Sequence, residues 1–312
     1  TQASARGRVR LAGPSARRVL KRACARRPRA QTAADPRPAG RGDPRHTTPP
    51  EPGPNLAHFP AAPPVPTPAG ASLHVVGTVY AIANQKGGVG KTTTAVNVAA
   101  CIAEAGFETL LVDVDPQANA TVGLGIDRGH APGLYEVLSG DAEPADAVVD
   151  TRVERLWALP AGAGLAGANV ELPRLDGWEH LLRERLTGLR DGYRYVILDC
   201  PPSLGPLTVN ALVAADRVIV PVQTEYFALE GLAGLLETLA LVQRELNPGL
   251  TVAGMLLTMH DGRTRLGQDV EREVRAHFPD LVFDTVIPRN VRVGEAPSYG
   301  LPVTHHDPHS AG

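Results

Sequence analysis

One stretch of sequence decides the fold: Asn84-Gln85-Lys86-Gly87-Gly88-Val89-Gly90-Lys91-Thr92-Thr93. It follows an apolar run, Val79–Ala83, that predicts a strand, and it leads into an Ala-rich run, Lys91–Ala105, that predicts a helix. Glycines let the backbone curl so that successive N–H groups face a phosphate, and the helix N-terminus adds partial positive charge. We expect Lys91 to reach the β- and γ-phosphates of a nucleotide and the Thr92 hydroxyl to bind Mg²⁺.

Lysine usage supports this interpretation independently. The chain has three lysines, Lys21, Lys86 and Lys91, and the two that lie beyond residue 72 are both in this loop. A compact ammonium fits between phosphate oxygens where a planar guanidinium does not. The simple phosphate-loop pattern places glycine six residues before the lysine, whereas this chain has Gln85 there, so the loop is a variant of that pattern.

Strand and helix patterns alternate from Val75 onward. Nearly continuous apolar runs predict further strands at Glu108–Val114, Tyr193–Leu198, Arg217–Val222, Thr251–Thr258 and Leu281–Ile287, the last four of them buried. Helical patterns fall between them at Glu179–Leu189, Leu229–Leu246 and Leu266–Phe278. This alternation predicts an α/β fold: a doubly wound, mostly parallel sheet with helices on both faces. Ligands of such sheets bind at the carboxyl ends of the strands.

Three acidic residues follow predicted strands at positions suited to magnesium chemistry. Asp113 and Asp115 are two residues apart, so they are expected to project from the same face of the strand end. One can hold Mg²⁺ through water while the other orients the attacking water. Asp199 ends a buried strand, as in a Walker B motif, and would hold the hydration shell of Mg²⁺. The alternative is that these aspartates cap the loop or helix that follows.

The loop and the first acidic strand together resemble a known family. Lys86–Thr93 is similar to the deviant Walker A loop of the ParA/MinD ATPases. The longer segments Ala83–Thr94 and Leu111–Thr121 are both similar to the ParA/Soj partition branch. The resemblance runs from about Val79 to Gly312. It implies a P-loop ATPase domain at residues 73–312 that binds ATP and Mg²⁺ and hydrolyses ATP slowly.

The resemblance also implies roles for individual residues. Lys86 is the additional lysine that reaches the partner's nucleotide in an ATP-bound homodimer, so that ATP binding and dimerisation are one event. Asp115 orients the attacking water and Asp113 holds Mg²⁺ through water. The expected catalytic residues are therefore Lys86, Lys91 and Asp115, and the expected metal-binding residues are Thr92, Asp113 and Asp199.

The expected nucleotide contacts are the consecutive loop residues Gly87, Gly88, Val89, Gly90, Lys91, Thr92 and Thr93. By resemblance, the segment from Ile287 to Asn290 lies against the adenine, with Pro288 stacking on the base. Asn210 and Asp216 are weaker candidates for holding the nucleotide region together, and a surface or capping role is the alternative for both.

The partners are also implied by the resemblance. Arginines at Arg263 and Arg292 belong to a dimer surface that binds DNA without reading its sequence, and a ParB-type centromere-binding protein stimulates hydrolysis. Binding to the DNA backbone alone needs clustered cations and weakens steeply with salt. Ordinary surface arginines remain the alternative, because residues 73–312 carry 30 acidic residues against 18 Lys and Arg.

Residues 1–72 differ from the rest of the chain in composition. They hold 13 Lys and Arg against 3 acidic residues, together with 14 of the 29 prolines. Residues 30–70 contain hardly any aliphatic run, so they cannot bury enough apolar surface to offset the entropy of ordering the chain. Residues 1–72 are therefore predicted to be a disordered basic arm. A nucleic-acid tether and an organelle transit peptide are possible functions of its first 30 residues. A solvated tail or translated upstream sequence is the alternative.

The same fold allows two other functions. A MinD-like membrane-switch ATPase, the main alternative, needs a C-terminal amphipathic helix, and an iron–sulfur carrier needs paired cysteines at the dimer face. The three cysteines (Cys24, Cys101 and Cys200) are scattered.

Val303–Gly312 resembles a loop after which relatives continue into one more helix, so we expect that helix to be missing. No apolar run approaches the roughly 20 residues of a membrane span. The expected location is the cytoplasm, at the nucleoid, and the lack of an operator-binding domain favours a chromosome as cargo.

Overall fold

The structure of the protein is a computed structural model, which describes residues 77–225 and 228–312 except for the side chains of residues 229 and 230. The prediction of a disordered basic arm at residues 1–72 lies outside these ranges. None of the helices within the described ranges combines the length and hydropathy of a membrane span.

Within the described residues, eight strands form one sheet: β1 (Thr78–Ile82), β2 (Thr109–Asp113), β3 (Val149–Asp150), β4 (Leu156–Leu159), β5 (Tyr195–Asp199), β6 (Arg217–Gln223), β7 (Thr251–His260) and β8 (Val282–Pro288). Their spatial order is β3-β4-β2-β5-β1-β6-β7-β8. All neighbours are parallel except the short β3, which is antiparallel to β4. The predicted doubly wound, mostly parallel sheet is confirmed.

The described helices connect these strands or follow the last of them: α1 (Lys91–Glu104), α2 (Asn119–Gly123), α3 (Leu134–Ser139), α4 (Leu165–Glu171), α5 (Leu181–Thr187), α6 (Pro206–Ala214), α7 (Ala228–Glu245), α8 (Arg265–His277), α9 (Val291–Glu295) and α10 (Val303–His306). The helix predicted at Glu179–Leu189 is shorter than expected, because a 3₁₀ turn at Trp178–His180 precedes it. The sequence prediction missed α6, although Gly205-Pro206 is a recognisable start signal with proline in the first turn.

The core lies on both faces of the sheet. In β2, Leu110 and Val112 join one apolar cluster, whereas Leu111 between them joins the other. Helix α1 covers the second cluster with small residues such as Ala95 and Ala99. Because successive strand residues point to opposite faces, burying both faces requires every position to be apolar. This explains the continuous apolar runs of the central strands.

Strand β8 departs from the sequence prediction. It was expected to be buried, but it lies at the edge of the sheet, and none of its seven residues is fully buried. Val282 and Val286 pack against the core, while Phe283, Asp284 and Thr285 are exposed. An edge strand has a neighbour on one side, so an apolar pattern alone does not guarantee burial.

The strand order brings three carboxyl ends together. Strand β5 lies between β1 and β2, and Asp199 at its end is in register with Ile82 of β1 and with Asp113 of β2. The loop that follows β1 therefore lies beside both acidic strand ends. This juxtaposition creates the candidate site.

Candidate nucleotide-binding site

The glycine loop between β1 and α1 has the backbone shape of an anion cradle. Gly88 and Gly90 have φ of 74° and 87°, in the left-handed region that side chains other than glycine rarely adopt. No heavy atom lies within 4 Å of the position that a Cβ would take at Gly87 or at Gly88, so this side of the loop is open. Gly90 is the N-cap of α1, which places the unpaired N–H groups of the helix start at the opening.

Two buried side chains that the sequence prediction missed hold this loop in place. Asn84 donates from Nδ2 to the carbonyl of Pro221 (2.7 Å) and accepts from the Lys86 amide at Oδ1 (2.9 Å). The Thr258 hydroxyl donates to the carbonyl of Val89 (2.8 Å). The loop is thus anchored to β6 and β7. Nothing near Asn84 or Thr258 in the sequence signals these bonds, because their partners are far along the chain.

Lys91 is 6% exposed, and its ammonium donates to the carbonyl of Lys86 (3.1 Å). Burial lowers the pKa of Lys91, while the nearby Asp199, Cys200 and Asp115 oppose this shift. A buried ammonium with few protein partners is suited to bind an anionic ligand. The predicted position of Lys91 at the start of α1 is confirmed, whereas its contact with phosphate stays a prediction.

Asp113 is buried, and its carboxylate already has protein partners. Oδ2 accepts from the Thr121 amide (2.8 Å) and the Thr121 hydroxyl (2.7 Å), and Oδ1 accepts from the Asp115 amide (3.2 Å). Burial raises the pKa of Asp113, and the bonds from Thr121 partly offset this rise. One lone pair on Oδ1 remains for a water molecule. The sequence prediction missed Thr121.

Asp199 is 0% exposed, and neither of its carboxylate oxygens has a hydrogen-bond partner among the described residues. Burial raises the pKa of Asp199 well above its ordinary value, and repulsion from Asp113 adds to the rise. The Thr92 hydroxyl, which approaches the carboxylate without the geometry of a hydrogen bond, and the Lys91 ammonium oppose this rise. A buried carboxylate without partners is costly unless a cation or an ordered water satisfies it. The residues present therefore fit a hydrated cation beside the loop.

Asp115 and Cys200 complete the inner side of the site. Asp115 is 6% exposed, and its Oδ1 accepts from the Gln117 amide (3.0 Å), so Oδ2 remains free for a water. Burial and the neighbouring Asp199 raise the pKa of the Cys200 thiol. A thiol that stays protonated is a poor nucleophile, so Cys200 is a structural residue rather than a nucleophile. No three His, Cys, Asp or Glu side chains of the described residues converge as metal ligands. A cation here would need hydroxyl, water or ligand oxygens as well.

The structure places the predicted adenine segment at the end of β8. The Arg289 amide donates to the carbonyl of His260 (2.9 Å), which ties this segment to the end of β7. Asn290 caps α9 by accepting from the Arg292 amide (2.8 Å). Pro288 is half-buried. Contact of Pro288 and Asn290 with a base remains a prediction.

Both arginines predicted to bind DNA have acidic partners. Arg263 forms a two-point pair with Asp261 (2.9 Å for both bonds), and hydrogen bonds from Arg263 lower the pKa of Asp261 to about 2. Arg292 pairs with Glu295 (2.9 Å) and lies 3.5 Å from Asp307. The Arg263 side chain is 91% exposed. Their charges are therefore partly compensated in the protomer, and DNA binding by them remains a prediction.

Asn210 and Asp216 have structural partners outside the site. Asn210 accepts from the Leu182 amide (3.0 Å) and so joins α5 to α6. Asp216 accepts from the Val79 amide (2.8 Å) and from Arg190 (2.7 Å) at the amino end of β1, whereas the glycine loop follows its carboxyl end. The hypothesis that they hold the nucleotide region is wrong.

Comparisons with known proteins agree with this geometry. A family model described as an AAA domain matches residues 77–252. The chain is similar to the chromosome-partitioning ATPase Soj of Thermus thermophilus, with 55% identity over 232 residues, which are 74% of this chain and 89% of that protein. It is also similar to the chromosome partitioning protein ParA of Caulobacter vibrioides, with 52% identity over 237 residues, 75% of this chain and 89% of that protein.

One solved structure extends the comparison to a bound ligand. It is a crystal structure of cobyrinic acid a,c-diamide synthase from Mycobacterium smegmatis with bound ATP analogue and magnesium. The identity is 43% and the TM-score is 0.66, over 72% of this chain and 93% of that chain. The fold that carries the glycine loop and the acidic strand ends is therefore one that holds a nucleotide and Mg²⁺ in a similar protein.

Proposed function

Because the chain belongs to the Soj/ParA family of chromosome-partitioning ATPases, we propose that it is an ATP-dependent switch for DNA segregation. It binds ATP and Mg²⁺, pairs with a second copy of itself, binds DNA without reading sequence and hydrolyses ATP slowly. A ParB-type partner stimulates hydrolysis and release. The protein acts in the cytoplasm, at the nucleoid.

The observation that carries the proposal is the partnerless carboxylate of Asp199 beside Lys91 and Thr92. A fully buried acid without a hydrogen bond fits the hydration shell of Mg²⁺. Thr92 would bind Mg²⁺ directly, and Asp199 and Asp113 would hold it through water. When bound, Mg²⁺ neutralises charge on the phosphates, as it does in other phosphoryl-transfer enzymes.

The chain's own residues supply positioning rather than covalent chemistry. The amides of Gly87, Gly88 and Val89, together with the start of α1, surround the phosphates, and the buried Lys91 ammonium binds the β- and γ-phosphates. The free oxygen of Asp115 orients the attacking water. Phosphoryl transfer needs mainly orientation and charge neutralisation, and a carboxylate that only orients water supports a slow reaction.

The proposal of a dimer rests on Lys86, the lysine of the loop that does not start α1. The Lys86 side chain is half-exposed, and among the described residues its ammonium has no hydrogen-bond or ion-pair partner. We assign it to the phosphates of the partner's nucleotide. The base of the nucleotide lies against Pro288 and Asn290. In the dimer, Arg263 and Arg292 of both copies form a doubled basic surface for the DNA backbone.

The test is the oligomeric state of wild-type protein and of Asp115→Ala with ATP or with ADP, measured by light scattering. Wild type should dimerise transiently with ATP and stay monomeric with ADP, and Asp115→Ala should accumulate as an ATP-bound dimer. Hydrolysis by Asp115→Ala at the wild-type rate would overturn the role of Asp115. ATP-dependent binding to anionic vesicles instead of DNA would favour a MinD-like function.

A further inference from the structure

The backbone of Lys86 is held at both of its polar groups by side chains. Its amide donates to Oδ1 of Asn84 (2.9 Å), and its carbonyl accepts from the Lys91 ammonium (3.1 Å). Loop residues more often have such groups in contact with water. The part of the loop that carries Lys86 is therefore fixed before any partner arrives.

Asn84 connects this loop segment to the sheet. Its side chain is 7% exposed, and Nδ2 donates to the carbonyl of Pro221 (2.7 Å) in the middle of β6, the strand next to β1. Both ends of the amide are thus satisfied, one by the sheet and one by Lys86. The side-chain amide of Asn84 fixes the orientation of the loop segment, because rotating the amide would break at least one of its two hydrogen bonds.

Helix α7 passes close to Lys86 on another side. A Cβ placed on Gly231 would lie 3.8 Å from Cβ of Lys86, so the helix backbone approaches the lysine stem closely. Leu232 and Leu235 of the same helix are buried in the main core, which fixes the position of α7. A methyl group fits at Gly231 at ordinary contact distance, whereas a larger side chain would displace Lys86.

Two hydrogen bonds hold the backbone of Lys86, and α7 limits the space beside its stem. The ammonium of Lys86 has no partner among the described residues. We propose that Asn84, supported by Gly231, is a positioning residue that sets Lys86 for its contact with the partner's nucleotide. This inference rests on the proposed ATP-dependent dimer. A cation that is positioned in the free protomer loses less conformational freedom on pairing, so pairing is stronger.

The primary test is Asn84→Ala in the hydrolysis-deficient Asp115→Ala protein. Pairing is read by light scattering over a protein concentration series with ATP, and protomer binding is read with fluorescent mant-ADP. We expect the concentration for half-maximal pairing to rise roughly tenfold, while the affinity for mant-ADP changes less than about twofold. Thermal unfolding confirms that the variant is folded. Equal losses in pairing and ADP binding would overturn the proposal, because they indicate a generally loosened loop.

Thr258→Val is the matched control. It removes a buried bond to the same loop, from the Thr258 hydroxyl to the carbonyl of Val89, at a point that does not touch Lys86. Because Thr258 supports the phosphate loop at Val89, any loss in Thr258→Val should fall equally on mant-ADP binding and on pairing. A loss of pairing in Thr258→Val as large as in Asn84→Ala, with mant-ADP affinity unchanged, would contradict a specific role for Asn84.

A pair of variants at Gly231 keeps the proposal testable if Asn84→Ala does not fold. Gly231→Ala should pair normally and Gly231→Leu should pair poorly, with similar affinity for mant-ADP in both. Normal pairing by Gly231→Leu would overturn the contribution of α7. If the parent protein itself does not pair with ATP, the proposed function fails. If the parent pairs and Asn84→Ala pairs equally well, only the positioning role fails.

Discussion

Charged side chains are buried in one part of the sheet and exposed in another. We call the carboxyl ends of β1, β2 and β5 the first edge, and the carboxyl ends of β7 and β8 the second edge. At the first edge, Lys91 and Asp199 are 6% and 0% exposed, and they come from different elements, α1 and β5. At the second edge, the Arg263 and Arg292 side chains are 91% and 56% exposed, and each pairs with an acid close in sequence.

Burial changes what these charges do. Charges in a low-dielectric interior interact strongly, so the first edge holds a fixed constellation that suits a tightly bound, charged ligand. Exposed ion pairs are worth little, because water and salt screen them. In the proposed complex with DNA, an arginine at the second edge would exchange its carboxylate for a DNA phosphate at small cost. In the proposed function, the first edge binds and hydrolyses the nucleotide, and the second edge binds DNA reversibly.

The largest effect is expected from removing the buried cation of the first edge. Lys91→Ala should weaken nucleotide binding by about 100-fold or more, since the site no longer holds its preorganised cation. The measurement is titration with mant-ADP, with thermal unfolding as a check of folding. Lys86→Ala is the matched control from the same loop and should keep the affinity for ADP within a few-fold. Wild-type affinity in Lys91→Ala would contradict the assignment of this edge.

Smaller effects are expected from two glycine variants, which test the backbone shape of the loop and the open space beside it separately. Gly90→Ala forces a side chain into a left-handed conformation, so the free energy of unfolding should fall by about 1–2 kcal/mol. Gly87→Ala should change it by less than about 0.5 kcal/mol, because nothing lies within 4 Å of the new methyl group. Both variants should bind mant-ADP more weakly. Urea unfolding measures the stabilities, and an unaffected affinity in Gly87→Ala would contradict the cradle.

The smallest effects are expected at the second edge. Arg263→Ala and Arg292→Ala should each reduce the salt dependence of DNA binding by the ATP-bound dimer, by about one unit of slope for each DNA phosphate that the variant no longer binds. Asp261→Asn should strengthen DNA binding, because it frees Arg263. Fluorescence anisotropy with a random-sequence duplex over a salt series measures these changes.

Arg272→Ala is the control for the second edge. Arg272 is an exposed arginine that pairs with Asp269, outside the predicted DNA surface, and its removal should leave DNA binding unchanged. Acidification to pH 5 should not imitate Asp261→Asn, because the pKa of Asp261 is about 2 and the carboxylate stays ionised. Equal effects of Arg272→Ala and Arg263→Ala would argue against a defined surface.

The sequence predicted the central strands and the long helices closely, because each has a strong local pattern. Strands β3 and β4 were missed, since Val149–Asp150 and Leu156–Leu159 are too short to show a period. The prediction that β8 is buried was wrong for a different reason. Its apolar pattern resembles that of a central strand, and only the order of strands places it at the edge.

The sequence by itself determined the phosphate loop, its two lysines and the acids at the strand ends. Glycine spacing, strand ends and residue type are local properties, so they can be identified without knowing where any distant segment lies. Only the tertiary structure decided what holds the loop in place. Thr258 bonds to Val89 from 169 residues away and Asn84 bonds to Pro221 from 137 residues away. It also decided that Asp199 lacks a partner among the described residues while Asp113 has Thr121. Contacts between distant segments depend on the order in which strands pair, and local patterns do not encode that order.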